Sequence, residues 1–147
     1  MSHVTTIKTV PIKDISALTK AVANLQAKGV KCELIQNAKP RVHGADSAPK
    51  CEYVLKLDGP YDVGFKLQKD GSYSTVMDTY QNHVGKRIGA SCPLPSTQEG
   101  RTQHQMGQLF QEYTKEATIN AAITSGYMVE SATTDAEGNV HLTLAGM

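Results

Sequence analysis

A chain of 147 residues is long enough to bury one sizeable core but too short for two, so we predict a single domain over residues 1–147. Hydrophobic residues make up 39% of the chain and charged residues 20%, a composition that excludes a disordered or fibrous protein. Fifteen basic against fourteen acidic side chains leave a formal charge of +1. This balance disfavours a duplex-DNA binder, because such proteins carry a large basic excess.

The start of the chain and its cysteines indicate where the protein works. Residues 1–14 contain no apolar run typical of a secretory signal, and no segment approaches the roughly 18 consecutive apolar residues of a membrane span. The three cysteines, Cys32, Cys51 and Cys92, are widely spaced and form no CxxC pair. We therefore predict reduced thiols in a cytoplasmic protein without membrane association.

The first quarter of the chain predicts a strand, a helix and a second strand. Residues 4–10 are rich in Thr, Val and Ile, as strands are. Asp14 is suited to cap a helix that runs to about residue 27, and Gly29 is suited to end it. The second strand is predicted over 30–36. The predicted buried stripe of the helix is Ile15, Leu18, Val22 and Leu25.

An alternation of apolar and polar residues predicts three consecutive antiparallel strands over 51–58, 61–68 and 73–80. Gly59-Pro60 is a turn signal between the first two strands. Asp70-Gly71 is typical of a tight hairpin turn and joins the second strand to the third.

A long connection over 81–100, without a regular period, precedes a helix predicted over 102–124. A final hairpin is predicted to pair 127–133 with 140–144. The buried side of the helix is predicted to be Met106, Phe110, Tyr113 and Ala117, continuing into 119–123. In the hairpin, the residues predicted to face inward are Val140, Leu142 and Leu144, and those predicted to face outward are His141 and Thr143.

The predicted order of elements is β-α-β-β-β-β-α-β-β. Two helices are too few to cover both faces of a sheet of this size. We therefore predict an α+β fold in which an antiparallel-rich sheet carries both helices on one face.

Several segments together resemble the "hypothetical chloroplast reading frame 35" family, a domain of unknown function in plastid, cyanobacterial, other bacterial and phage genomes. The segments that carry the resemblance are Met1-Ser2-His3, Ile7-Lys8-Thr9, Tyr61-Asp62-Val63-Gly64-Phe65, Tyr113-Thr114, Ala121, Gly126-Tyr127, Val129-Glu130 and Gly138-Asn139-Val140-His141-Leu142-Thr143-Leu144.

The resemblance implies an accessory role. Genes of this family often lie beside those of AAA-type ATPases, and no catalytic residues are established for it. The chain lacks the tryptophans of plastid members and has a longer loop in the middle, which suggests a bacterial or phage origin. A phage-encoded protein would work in the host cytoplasm.

The histidines and carboxylates are not spaced for metal binding or catalysis. None of the five histidines forms an HExxH, HxH or HxxxH pattern. Glu112 and Glu116 lie one helical turn apart but lack the Glu-x-x-His partner of a di-iron site, so we interpret them as surface carboxylates. We assign no catalytic residue, no metal ligand and no cofactor, and expect no enzymatic activity. An enzymatic alternative would depend on His83, Cys92 or His104.

The glycine-rich connection is the segment that most suggests ligand binding. Its segment 85–91 contains glycines, two cations and a serine, although their order is not that of a Walker A loop. Glycine-rich loops can present backbone N–H groups to an anion. The candidate contacts to an anion or a partner are His83, Lys86, Arg87, Arg101 and His104.

Charge is divided unevenly along the chain. Residues 1–70 carry 11 basic and 7 acidic side chains, whereas residues 71–147 carry 4 and 7. Such a division favours self-association or docking on a charged partner. We therefore predict an accessory domain that works through protein contacts, with an AAA-type ATPase or as a homo-oligomer. The alternative is a small-molecule binder that holds a nucleotide or other phosphorylated ligand at the 83–101 loop.

Overall fold

The computed structural model describes residues 4–42, 48–78, 82–90, 104–134 and 140–146. The elements in chain order are β1 (Val4–Ile12), α1 (Ile15–Ala27), β2 (Cys32–Ala38), β3 (Cys51–Leu57), β4 (Val63–Leu67), β5 (Tyr73–Asp78), α2 (Gly85–Ile88), α3 (Gly107–Thr124), β6 (Tyr127–Thr134) and β7 (Val140–Gly146). The predicted α+β class and the predicted strand and helix order are confirmed. The single-turn helix α2 is an addition, because four residues are too few to show a helical period.

Five of the strands form one antiparallel sheet in the order β1-β5-β4-β3-β2. The three strands predicted to be consecutive neighbours do pair, with Tyr53 opposite Phe65 and Phe65 opposite Thr75. Strand β1 pairs with the edge of β5 that faces away from β4, where Ile7 lies opposite Thr75. Turn signals predict the pairing of β3, β4 and β5 but not of strands farther apart, so the positions of β1 and β2 in this order are new information from the structure.

Helix α1 forms as its sequence predicts. The Asp14 side chain caps its first turn by accepting from the Ala17 backbone N–H at 3.1 Å, and Gly29 follows its end with a φ of +93°. This positive φ favours glycine. The buried side of α1 consists of Ala17, Leu18, Ala21, Val22 and Leu25.

The main core lies between one face of the sheet and the two long helices. Leu55, Phe65 and Met77 from the sheet are fully buried, and they belong to the same apolar cluster as Leu18 of α1 and Leu109 of α3. Burial of each such side chain contributes about 1.5–3 kcal/mol, so this layer is the largest single source of stability. The prediction that both helices pack on one face is confirmed.

The opposite face of the sheet has its own smaller cluster. Val54 and Val76 flank Gly64 in register, and Cys51 packs beside them. A Cβ atom added to Gly64 would lie 2.6 Å from the Cys51 Sγ and 2.9 Å from the Pro40 Cγ. The residue at this position must therefore be a glycine, because the segment after β2 crosses the sheet face in contact with its backbone.

An ion pair between the exposed Arg41 and the buried Asp62 fastens that segment to the sheet. The Arg41 guanidinium donates to both Asp62 carboxylate oxygens, at 2.9 and 2.7 Å, and to the Leu57 carbonyl oxygen at 2.9 Å. The Leu57 N–H in turn donates to the Asp62 carboxylate at 3.2 Å. The Arg41 N–H also donates to this carboxylate, at 3.0 Å, and the Asp62 N–H donates to the Arg41 carbonyl oxygen at 2.9 Å. The forked geometry joins the end of β3, the start of β4 and the crossing segment at one carboxylate.

The last two strands depart from the expected single sheet. β6 and β7 pair only with each other in the described part of the chain, with Val129 opposite Leu144. The 18 residues of α3 extend about 27 Å and carry the chain away from the sheet before β6 begins. Leu144, predicted to face inward, is 42% exposed, and Ile123, placed on the buried side of the helix, is 55% exposed. His141 and Thr143 are exposed, as predicted.

No helix in the described residues is both long enough and apolar enough to span a bilayer.

The Arg41–Asp62 pair generates a prediction about stability. Asp62→Asn should lower the free energy of unfolding by about 2 kcal/mol, because a buried carboxylate that accepts several charge-assisted bonds is replaced by a poorer acceptor. Urea denaturation monitored by circular dichroism would measure the change. Glu33→Gln, at an exposed position on β2, serves as the control and should leave the midpoint unchanged. Equal midpoints for the two variants would contradict the assigned role of Asp62.

Candidate functional site

A buried carboxylate joins the C-terminal end of α1 to the middle of α3. The Glu112 side chain is only 5% exposed, and its oxygens accept from the Lys28 Nζ at 2.8 Å and the Lys115 Nζ at 3.0 Å. Asn24 of α1 donates to both carboxylates of α3, to Glu112 at 3.0 Å and to Glu116 at 2.9 Å. The interpretation of these two glutamates as surface carboxylates is therefore wrong, since Glu112 is buried in a helix–helix contact.

This network sets the ionisation of Glu112. Burial raises the pKa of the Glu112 carboxyl, but the hydrogen bonds from Lys28 and Lys115 lower it by more, so the pKa lies below its ordinary value. The carboxylate thus remains charged in the folded state and holds the Lys28 ammonium at the end of α1.

The other end of α1 is fastened to α3 by polar contacts. The Tyr113 hydroxyl accepts from the backbone N–H groups of Lys13, at 2.9 Å, and Asp14, at 3.2 Å. Asn120 donates to the Asp14 carboxylate at 2.9 Å and to the Ser16 hydroxyl at 3.1 Å. The hydrogen bonds from Asn120 and Ser16 lower the pKa of Asp14, which keeps the helix cap charged. Both ends of α1 are thus fixed by side chains of α3.

A cleft of about 480 Å³ opens beside the C-terminal end of α1. Lys28 and Lys31 line it from the turn between α1 and β2, while Lys86 and Arg87 line it from α2. Asp58, at the end of β3, is the one acidic side chain in its lining. We call this the basic cleft. Four cationic side chains against one carboxylate give it a positive potential that attracts anions.

Arg87 is held in place within the basic cleft. Its Nε donates to the Asp58 carbonyl oxygen at 2.5 Å and its Nη1 to the His83 carbonyl oxygen at 2.7 Å. The guanidinium lies against Gly59, where an added Cβ atom would come within 2.4 Å of the Arg87 Cζ. The glycine predicted as a turn former thus also provides the space for this side chain.

The structure brings together only part of the predicted site. Lys86 and Arg87 line the basic cleft. His83 contributes its carbonyl to Arg87, while its ring packs edge-on against Tyr61 with centroids 5.3 Å apart. His104 is half-buried and does not line the cleft; its carbonyl oxygen accepts from the Ala90 N–H at 2.8 Å. Arg101 lies outside the described residues, as do 91–100 of the predicted 83–101 loop.

Sequence reasoning missed Lys28, Lys31 and Asp58 as members of the cleft. Lysines beside the final turn of a helix are common, because they interact favourably with the carbonyl end of the helix dipole. Lys28 and Lys31 flank Gly29 in that position and so carry no signal of their own. Their relation to Lys86 depends on tertiary structure, since more than fifty residues separate them.

A second surface is apolar and lies at the other end of α3. Five large hydrophobic side chains among the described residues are exposed, and four of them lie here. Tyr127, Val129 and Leu144 share one face of the β6–β7 pair, because Val129 lies opposite Leu144, whereas Met128 lies on the other face. We call the four exposed side chains at this end of α3 the ribbon surface: Ile123, Tyr127, Met128 and Leu144.

Among the residues that the structure describes, no three His, Cys, Asp or Glu side chains come together in an arrangement suited to a metal ion. The described cysteines, Cys32 and Cys51, are free thiols, and burial raises the pKa of both. A thiol with a raised pKa is a poor nucleophile at neutral pH. Cys92 lies outside the described residues.

The chain belongs to a family whose members have no known function. A family model described as "Protein of unknown function (DUF1257)" matches residues 24–143, which include both α3 and the lysines of the basic cleft. No curated protein and no solved structure matches the chain. The resemblance to the chloroplast reading frame 35 family stays a prediction.

The Glu112 network generates a prediction about pH. A carboxyl whose folded pKa is lowered contributes stability above its ordinary pKa of about 4.3 and loses it as pH falls through the folded value. Glu112→Gln should therefore cost about 2 kcal/mol of unfolding free energy at pH 7 and progressively less below about pH 4. Chemical denaturation at a series of pH values measures both quantities.

Glu130→Gln is the matched control for this experiment, because Glu130 is exposed on β6. It should show the same pH dependence as the unmodified chain. A stability difference between Glu112→Gln and the unmodified chain that stays constant from neutral to acidic pH would contradict the assigned ionisation.

Proposed function

We propose that the chain is a non-enzymatic accessory domain that works through protein contacts, and that two copies associate through the ribbon surface. The single observation that carries this proposal is the concentration of exposed apolar side chains on β6, β7 and the last turn of α3. Elsewhere in the described residues, only Leu67 is a large hydrophobic residue exposed to a similar degree. Clustered exposed apolar groups are typical of interaction sites, whereas single ones are ordinary.

The β6–β7 pair contacts α3 but pairs with no other strand in the described part of the chain. Within the described residues each of its two strands is paired along one edge only, and its apolar face is partly open to solvent. A two-stranded hairpin is marginally stable in water, and its open edges invite further strand pairing. An added partner would both cover the apolar face and extend the ladder.

The charge of this surface favours a second copy of the chain as that partner. Residues 117–134 and 140–146 contain one formally charged side chain, Glu130. Two such surfaces do not repel each other strongly, and a highly charged partner would find no complementary groups. The same edge strand from two copies of the chain can also pair antiparallel across a two-fold axis, which gives a closed dimer rather than a growing assembly.

An AAA-type ATPase, implied by the family resemblance, is the other protein partner to be considered for this surface. Its binding would require an apolar, weakly charged docking segment on the ATPase. The same experiment separates the two partners, because self-association is measured on the purified chain alone.

A second candidate function, binding of a nucleotide or other phosphorylated small molecule, is favoured by a different observation. Lys86 and Arg87, predicted as anion contacts, line the basic cleft together with two further lysines. The cleft lies beside α2 and the start of β2, and it shares no residue with the ribbon surface. The two functions are therefore compatible in one chain.

Self-association generates a prediction about mass. The unmodified chain should sediment as a monomer–dimer equilibrium over about a hundredfold range of concentration, because dimer formation depends on protein concentration. Leu144→Lys should shift the equilibrium to monomer, since association would bury an unpaired ammonium group. Sedimentation velocity measures the distribution directly.

Leu67→Lys is the matched control, because Leu67 is similarly exposed but lies on β4, away from the ribbon surface. It should dimerise like the unmodified chain. A monomer at every concentration, or a dimer that Leu144→Lys leaves intact, would overturn the proposal. A monomeric chain that binds a purified AAA-type ATPase through Leu144 would assign the surface to that partner instead.

A further inference from the structure

We propose that the basic cleft binds the phosphate chain of a polyphosphorylated small molecule, that it does so without recognising a nucleobase, and that Glu112 tunes this affinity through Lys28. The inference rests on the second candidate function and specifies its ligand class and its residues. Four observations support it: the charge of the cleft, the fixed position of Arg87, the composition of the lining and the pairing of Lys28.

The cleft gathers charge that the fold does not neutralise. Among the described residues, Lys31 and Lys86 are exposed and take part in none of the ion pairs, whereas the pairs of Lys28 and Lys115 converge on Glu112. Placing like charges together destabilises a fold, so an uncompensated cluster is costly unless an anion binds there. Asp58 offsets only part of this charge.

Arg87 supplies a preorganised contact within this cluster. Hydrogen bonds to two backbone carbonyls and close packing against Gly59 hold its guanidinium in place before any ligand binds. A fixed group loses little conformational freedom on binding, which increases the affinity it can provide. Nε and one Nη1 hydrogen of Arg87 already bind these carbonyls, so phosphate oxygens would bind the guanidinium's other donors, while lysines act as mobile point charges around it.

The side chains that line the cleft favour a phosphate chain over a nucleoside as the ligand. The described residues of the lining include no aromatic side chain on which a base could stack, and Val30 is its one apolar side chain. Base recognition in proteins relies on stacking and on hydrogen bonds to base edges, whereas this lining offers mainly positive charge. The four cations lie on two separate segments, the turn after α1 and helix α2. A ligand with several phosphate groups can therefore contact more of these cations than a single phosphate group can.

Glu112 competes with an anion for Lys28. The Lys28 Nζ lies 2.8 Å from the Glu112 carboxylate, while its side chain remains 59% exposed and also lines the cleft. A bound phosphate chain must either share this ammonium group with Glu112 or draw it away. Neutralising Glu112 should therefore strengthen anion binding, even though it weakens the helix–helix contact.

Isothermal titration calorimetry of the full chain tests the inference. Inorganic tripolyphosphate and ATP should bind with similar affinity, AMP and citrate more weakly because they carry fewer negative charges, and adenosine not at all. The double variant K31Q/K86Q should weaken tripolyphosphate binding at least about tenfold, because two charge-assisted contacts are lost. The matched control K20Q/K69Q removes two exposed lysines outside the cleft and should stay within about twofold of the unmodified chain.

Glu112→Gln provides an independent measurement. It should tighten tripolyphosphate binding about threefold, provided that circular dichroism shows a folded chain at the temperature of the titration. Equal or weaker binding by the folded variant would overturn the role of Glu112. Thermal stabilisation by tripolyphosphate offers a second readout, since a ligand that binds only the folded state raises its melting temperature.

The outcomes separate this inference from the broader function. If no phosphorylated compound binds, ligand binding fails altogether. If adenosine binds as well as ATP, or if K31Q/K86Q binds like the unmodified chain, a ligand site exists but the assigned chemistry or location is wrong. Binding of an oligoglutamate peptide more tightly than tripolyphosphate would assign the cleft to an acidic protein segment and also overturn the inference.

Discussion

The packing of α3 against both α1 and the sheet is the contact on which the rest of the structure depends. Leu109 and Phe110 of α3 complete the apolar layer over the sheet, and Tyr113 carries a hydroxyl to the first turn of α1. Glu112, the neighbouring residue, reaches the other end of α1. Adjacent residues of α3 therefore reach opposite ends of α1, because successive side chains point about 100° apart around the helix axis.

This packing also accounts for the two surfaces that have no structural role of their own. α1 extends about 20 Å and α3 about 27 Å, and the hydrogen bonds between them end at Asn120. The last turn of α3 consequently passes beyond α1 and carries β6 and β7 away from the main core. At the opposite end, the turn after α1 is brought against α2, and the lysines on both sides converge on one cleft.

The sequence predicts most of the secondary structure for physical reasons. The alternation over 51–77 predicts the strands, although consecutive residues of β4 and β5 are buried and so both of their faces are covered. Asp14 and Gly29 mark the two ends of α1 through local backbone chemistry. Such patterns extend over a few residues, so they reveal hairpin neighbours but not which distant strands pair. The return of β1 to β5 and the departure of β6 and β7 from the sheet were accordingly not predictable.

The site was predictable only in part, again because sequence patterns extend over only a few residues. Lys86 and Arg87 stood out because glycines surround them, whereas Lys28 resembles any lysine at the end of a helix. Glu112 shows the same limitation, since a spacing of four residues to Glu116 is equally typical of a solvated helix face. The contact with Lys28 spans 84 residues, and no local pattern encodes it.

Native-state hydrogen exchange tests most directly whether α3 is an integral part of the core. We expect the amide of Tyr113 to open with the same free energy as those of Leu25 in α1 and Val54 in β3, because all three become exposed only when the core unfolds. Exchange at Tyr113 with a much lower free energy than at Val54 would show that α3 detaches from an otherwise folded sheet, and would contradict the account.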